Sequence, residues 1–218
     1  PFVAQAAMDT GVARKPIDDM EAYRHSLARR ADPSASFIQG VQARCKELQR
    51  RIVFAEGEEP AVVRAAFSFK NQGLGHPILI GREAQVQRAM EQMGIAPGTL
   101  EILNARLSDN NPVYTDMLYA RLQRDGYLKR DAQRLVNQDR NVFGCCMLKN
   151  GDADGMVTGV TRNYDVALND SLLVLDPIPG QAVIGMSMVI NRGRTVFIAD
   201  TSVTELPQGE DLANIAIE

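Results

Sequence analysis

Apolar and polar residues along this chain alternate between two rhythms. One is a short apolar run, as in Arg51-Ile52-Val53-Phe54-Ala55, Pro77-Ile78-Leu79-Ile80-Gly81 and Leu100-Glu101-Ile102-Leu103-Asn104. Such runs, bounded by turn-forming residues, predict buried strands. The other is helical spacing. It appears over Phe37 to Arg50, with Ile38, Val41, Cys45 and Leu48 on one face, and again over Pro60 to Gln72, Glu83 to Met93, Tyr114 to Arg124 and Lys129 to Gln138. Pro60 suits a first helical position, and Gly73-Leu74-Gly75 ends that helix. Strands alternating with helices predict an α/β fold whose mostly parallel sheet is flanked by helices.

The rhythm changes toward both ends. Val142 to Leu148 is apolar throughout, Gly151 to Gly159 is a turn running into a short strand, and Tyr164 to Leu173 predicts a helix. Gln181 to Ile190 and Thr195 to Ala199 predict strands joined through Asn191-Arg192-Gly193-Arg194, so the two read as a hairpin. Ala199-Asp200-Thr201 reads as the end of a buried strand and its turn, and Leu212 to Glu218 as the opening of a helix. No Gly, Pro or basic last turn stops that helix, so the fold is expected to be incomplete at Glu218. At the other end, Ala4 to Met8 reads as the tail of a helix. Asp18 to Arg30 reads as another, with Asp18 or Asp19 at its start, Arg24, Arg29 and Arg30 toward its end, and Pro16 and Pro33 bracketing it. Two readings fit residues 1–35: an interdomain connector, or an arm packed on its own domain.

Composition narrows the function classes. With 45% hydrophobic and 23% charged residues the chain is globular. A net charge of -3 and the lack of a basic run argue against nucleic-acid binding. No apolar run reaches membrane-spanning length, and the first residues show no signal-peptide pattern. Three cysteines, two of them adjacent at Cys145-Cys146, make no disulfide framework and suit a reduced, cytoplasmic setting.

Candidate chemistry is sparse. No G-x-G-x-x-G follows a strand and no P-loop is present. Gly151-Asp152-Ala153-Asp154-Gly155 has calcium-loop composition, but its glycine and glutamate spacing does not match an EF-hand. His25 and His76 lack partners at metal-ligand spacing and read as surface or turn residues; Cys145 and Cys146 read as inert buried thiols. Three loops remain, each expected at the carboxyl end of a parallel strand, where open sheets bind ligands: Glu56-Gly57-Glu58, Thr158 to Tyr164, and Asp200-Thr201-Ser202. Thr158, Thr161, Arg162, Asn163 and Tyr164 offer hydroxyls, an amide and a guanidinium suited to a phosphate-bearing ligand. The competing reading makes Arg162 a surface residue paired with Asp165. Glu56, Glu58 and Glu59 read as acids favouring the helix start that follows them.

Several of these stretches, in this order, resemble one family. Arg51-Ile52-Val53-Phe54-Ala55-Glu56-Gly57-Glu58, Pro77-Ile78-Leu79-Ile80-Gly81, Gly151-Asp152-Ala153-Asp154-Gly155 and Phe197-Ile198-Ala199-Asp200-Thr201 are similar to phosphate acetyltransferases, and Leu212-Ala213-Asn214-Ile215-Ala216 resembles that family's "LAEIA" helix. The chain looks closest to the phosphotransacetylase-like C-terminal domain of bacterial multidomain malic enzymes. After Gly159 it reads Val160-Thr161-Arg162-Asn163-Tyr164-Asp165, like the malic-enzyme "G-R-Y-D" region and unlike the transacetylase His-Thr or Ser-Thr stretch. Phe2 to Tyr23 resembles the end of a malic catalytic region and its linker.

The resemblance implies a phosphotransacetylase-like (isocitrate/isopropylmalate dehydrogenase-like) fold. Residues 1–35 would be the tail of a malic catalytic region with a linker helix, and 36–218 the first part of a regulatory domain. The parent would convert malate to pyruvate and carbon dioxide with NAD or NADP and a divalent metal (Mg or Mn), all bound upstream in the malic catalytic domain. This domain would sense acetyl-CoA and help assemble a homo-oligomer. The resemblance puts the Ser/Arg/Asp group of transacetylase chemistry beyond Glu218, so no catalytic and no metal-binding residue is expected here. The expected acetyl-CoA contacts are Thr158, Thr161, Arg162, Asn163, Tyr164, Asp200 and Thr201. A phosphate acetyltransferase proper, or an oligomerisation module without ligand, are the alternatives.

Overall fold

Four apolar runs pair as one parallel sheet: β1 (Arg51–Phe54), β2 (His76–Ile80), β3 (Glu101–Leu103) and β4 (Gly155–Val157), in the order β3-β2-β1-β4. The computed structural model describes residues 1–31, 33–191, 194–200 and 202–217, with the side chains of residues 25, 28–31 and 33–36 outside that description. The chain divides into two compact units, one of Arg44–Asp176 and one of Pro1–Ala43 with Pro177–Glu218.

The unit Arg44–Asp176 is a three-layer sandwich. Strand side chains point alternately to opposite faces. Val53, Ile78 and Ile80 therefore enter one core, with Tyr114, Leu118, Val136 and Phe143. Phe54 and Leu79 enter the other, with Val62, Val63, Val86 and Met90. Helices α4 (Pro60–Asn71) and α5 (Glu83–Gln92) supply the second core. Helices α6 (Asn111–Leu122), α7 (Lys129–Gln138) and α8 (Arg140–Asn150) supply the first, and α9 (Tyr164–Leu172) packs on α8. A single 3-10 turn, Gln123–Asp125, follows α6.

The stretch Val142 to Leu148, apolar but without a predicted element, is α8. All residues from Asn141 to Met147 are buried, so its apolar character runs right round the helix and hides the helical period. A Cβ on Gly144 would lie 2.5 Å from the Met156 sulfur, so α8 lies against β4 closer than any larger residue allows. Cys145 and Cys146 sit in this helix. Burial pushes their thiols up to about 11 and about 12, which leaves both protonated and unreactive at neutral pH. The acids of the calcium-like loop have structural partners: Asp154 accepts from the Arg51 N–H (2.8 Å) and Arg50 Nη1 (2.6 Å), and Asp152 accepts from the Tyr114 hydroxyl.

The other unit contains α1 (Phe2–Asp9), α2 (Met20–Ala31), most of α3 (Pro33–Leu48), the antiparallel pair β5 (Met186–Asn191) and β6 (Arg194–Ala199), and α10 (Gly209–Ile217). Of the two candidate acids, Asp19 starts α2: its Oδ1 accepts from the N–H groups of Glu21 and Ala22, both at 2.9 Å. None of the described residues in this unit is buried. This corrects the expectation of a buried strand ending at Ala199: β6 is exposed along its whole length, and on α3 Ile38 and Val41 are each about half exposed. The predicted strand from Gln181 begins only at Met186, and residues 192 and 193 of the predicted turn lie outside the described residues. Among the described residues, no helix is long and apolar enough to cross a membrane.

Candidate functional site

In a parallel sheet all carboxyl ends open on one edge, and ligands favour the point where strand order reverses. Here β1 leads outward through β2 to β3, while β4 returns to the far side of β1. The reversal falls between the loop after β1 and the loop after β4.

That crevice is filled from within. The Glu56 carboxylate accepts from the N–H of Val160 (2.6 Å), the N–H of Thr161 (2.7 Å) and the Thr161 hydroxyl. Burial alone would raise this carboxyl, but the Thr161 hydroxyl and the Val160, Thr161 and Gly159 N–H groups outweigh it and leave it below the ordinary value. Glu56 is therefore no helix-start acid; it anchors the β4–α9 loop. The next acid differs too. Glu58 accepts from the Arg82 N–H at 2.9 Å and from its guanidinium at 3.0 and 2.9 Å. That pairing, aided by the charge of Arg140, holds Glu58 down at about 2. Only Glu59 takes the capping position of α4, and its side chain makes no capping bond there.

Five of the expected ligand residues lie on the anchored loop. The Thr158 hydroxyl donates to Asn141 Oδ1 at 2.6 Å. Thr161 is held by Glu56. Arg162 Nη1 reaches Asp139 and Asp170, each at 2.6 Å, and not Asp165. Asn163 is the N-cap residue of α9 without a side-chain capping bond, and Tyr164 is exposed. Asp139 also starts α8, its Oδ1 accepting from Asn141 and Val142 N–H, while Asn141 Nδ2 donates to Asp170. One network thus joins α8, the loop and α9. Thr158, Arg162, Tyr164, Ala167, Leu168 and Ser171 line a cavity of about 360 Å³.

Asp200 and Thr201 remain of the expected set. Asp200 follows β6, which pairs antiparallel with β5 and is not the expected strand of the parallel sheet. The short link between β5 and β6 permits only antiparallel pairing. Asp200 adopts a left-handed backbone (φ 46°), and its carboxylate accepts from the Val203 N–H at 2.8 Å and the Thr204 N–H at 3.1 Å. Thr201 lies outside the described residues.

Sequence reasoning missed Asp139, Asn141 and Asp170. The signal for the first was present: Asp139 precedes an apolar run, as an N-cap does. Among the described residues no group of three or more His, Cys, Asp or Glu side chains could hold a metal.

A family model described as phosphate acetyl/butaryl transferase matches residues 36–218. The NADP-dependent malic enzyme of Rhizobium meliloti (strain 1021) is 53% identical over 218 residues, which cover 99% of this chain and 29% of that protein. A probable NADP-dependent malic enzyme of Rickettsia prowazekii (strain Madrid E) is 39% identical over 219 residues, again 99% of this chain and 29% of the relative. The chain thus spans about 29% of the length of these curated relatives. Among solved structures, a phosphotransacetylase from Streptococcus pyogenes superposes with a TM-score of 0.76 at 28% identity, covering 84% of this chain and 56% of that one.

Proposed function

The chain belongs to the phosphate acetyl/butaryl transferase family, and on that premise we propose that it is the acetyl-CoA-sensing and assembly part of an NAD- or NADP-dependent malic enzyme. The observation that carries this reading is coverage. The malic enzymes align over 99% of the chain and so take in nearly all of residues 1–35, which lie outside the family model. In this reading residues 1–35 are the tail of the catalytic region with its linker, and 36–218 the first part of the regulatory domain. The nucleotide and the divalent metal, Mg or Mn, bind in the catalytic part of the parent, which works in the cytoplasm as a homo-oligomer. The exposed apolar residues of β5 and β6, Val189, Val196 and Phe197 among them, support the assembly role.

Acetyl-CoA is taken at the Thr158–Tyr164 loop. Tyr164 and Asn163 contact it directly. Thr158, Thr161 and Arg162 hold the loop in place, because their polar groups are already engaged by Asn141, Glu56, Asp139 and Asp170. Asp200 and Thr201 stay in the proposed set on sequence grounds alone. The test is malate-dependent reduction of NADP by the intact parent, titrated with acetyl-CoA. Tyr164→Ala, which removes an exposed ring, is expected to weaken inhibition roughly three- to ten-fold. If acetyl-CoA neither binds nor inhibits, the sensing role is wrong. The likeness to the Streptococcus pyogenes phosphotransacetylase favours a second reading, acetyl transfer between acetyl phosphate and CoA. Sustained turnover of that reaction by this chain would replace the first reading with the second.

A further inference from the structure

A second crevice opens at the same sheet edge, beyond the ends of β2 and β3, with a volume of about 550 Å³. Its lining includes Arg82 after β2, Arg106 after β3 and Arg140 at the start of α8, with Glu58 as the one carboxylate. Three guanidiniums against one carboxylate leave an excess of two positive charges. Glu58 is bound by Arg82 in a two-pronged pair, which fixes that guanidinium at the rim. Gly81 permits this: a Cβ there would sit 2.9 Å from Glu58 Cγ and 2.9 Å from Val86 Cγ2. Arg140 Nη2 stands 3.8 Å from Glu58 Oε2, an ion pair beyond hydrogen-bonding distance, and among the described residues its guanidinium donates no hydrogen bond. Among the described residues, the Arg106 guanidinium has no ion pair and no hydrogen bond, although its backbone N–H is held by Asn104 Oδ1 at 3.1 Å. A separate observation points the same way. Asn137 lines this crevice, and its Oδ1 is buried without a hydrogen-bond partner. A ligand bearing a hydroxyl or N–H group would supply the missing donor once the Asn137 side chain turns toward the crevice, since its Oδ1 is closed to solvent as it stands.

We propose that this crevice binds a phosphorylated small molecule, its phosphate held by Arg106 and Arg140 beside Arg82 and its body hydrogen-bonded by Asn137. Open forks arriving from two separate elements, with the Arg82 charge beside them, suit a tetrahedral dianion better than a planar carboxylate. The site is distinct from the Thr158–Tyr164 loop and does not depend on acetyl-CoA binding there.

The experiment titrates the 218-residue chain calorimetrically at constant ionic strength with glycerol 3-phosphate, inorganic phosphate and succinate, in the wild type and in Arg106→Gln, Arg140→Gln and Arg64→Gln. Arg64 is exposed on α4 and does not line the crevice. The expected result is saturable binding of glycerol 3-phosphate, weaker binding of phosphate and weaker still of succinate. Arg106→Gln and Arg140→Gln should each weaken it about ten-fold, and Arg64→Gln should leave it unchanged. The proposal is overturned by absent saturation with both phosphates, by an equal loss in Arg64→Gln, or by succinate binding as tightly as glycerol 3-phosphate. An equal loss of acetyl-CoA affinity in Arg106→Gln would also overturn it as a separate site.

Discussion

Arg162 and Arg106 stand on loops at one edge of one sheet, and their surroundings are opposite. Arg162 is one-third exposed, with Asp139 and Asp170 each 2.6 Å away. Burial works against its charge, but the two carboxylates more than compensate and raise its pKa above the ordinary value. Arg106 is exposed and has no ion pair among the described residues. The first loop satisfies its own charges and so has a fixed shape; the second leaves charge available for a visitor. Residue type and position on the sheet are therefore not enough to tell an arginine that holds its loop from one left open to an anion. What separates them is whether the protein has already supplied the counter-charge.

Substitutions sharpen this contrast, and the largest effect belongs to the self-satisfied loop. Arg162→Gln leaves Asp139 and Asp170, both under one-fifth exposed, facing each other without a cation. The expected loss is about 2–4 kcal/mol of unfolding free energy, read from urea denaturation. A loss below about 1 kcal/mol would mean the network is ornamental.

Glu56→Gln comes next. One acceptor oxygen becomes an amide donor facing the Val160 or Thr161 N–H, at an expected cost of about 1–3 kcal/mol. Faster hydrogen exchange at Val160 and Thr161 should accompany it, and unchanged protection there would contradict the anchor. Acid should act more weakly in the same direction. Glu58 falls from 4.5 to about 2 on folding, and Glu56 is also lowered. Both depressed carboxyls add stability that is complete above their unfolded value and is lost as pH falls through the folded one. Glu58 therefore contributes fully above about pH 5 and loses its contribution between about pH 4.5 and 2. Because Arg82 is largely exposed, solvent screening keeps the contribution of this pair small. The check is the difference in acid unfolding between wild type and Glu58→Gln. The smallest effect is Arg106→Gln, which should change stability by less than about 0.5 kcal/mol, since it breaks no contact. A larger loss would show that Arg106 belongs to the fold.

Much of the architecture was legible because it depends on local periodicity. The apolar runs at Ile52-Val53-Phe54 and Ile78-Leu79-Ile80 became parallel strands, and the helix over Lys129–Gln138 appeared with the same bounds. Helix α8 was hidden because burial on every side removes the polar face that reveals a helix. The site was harder, since its partners are distant in sequence. Glu56 could not be matched to Thr161, nor Arg162 to Asp139, without knowing that β4 returns beside β1. Arg162 was singled out as the cation of its loop, and nothing local revealed that two carboxylates from α8 and α9 flank it. The hairpin was legible from its short turn, yet Asp200 at its end was still assigned to the parallel edge.

The return of β4 has a consequence for the order of assembly. The Glu56–Val160 bond joins residues 104 apart, as does the Arg50–Asp154 pair. Closing so long a loop precedes any gain from it, so β1 with β2 and β3 is expected to gather first and β4 to join late. Conservative truncations in β4, such as Val157→Ala, should then accelerate unfolding and hardly slow refolding, while Ile78→Val in β2 should slow refolding; equal φ-values at the two positions would erase the order. On a ribosome, the anchoring carboxylate of Glu56 would emerge long before the loop it holds, and would stay solvated until the chain has passed Thr161.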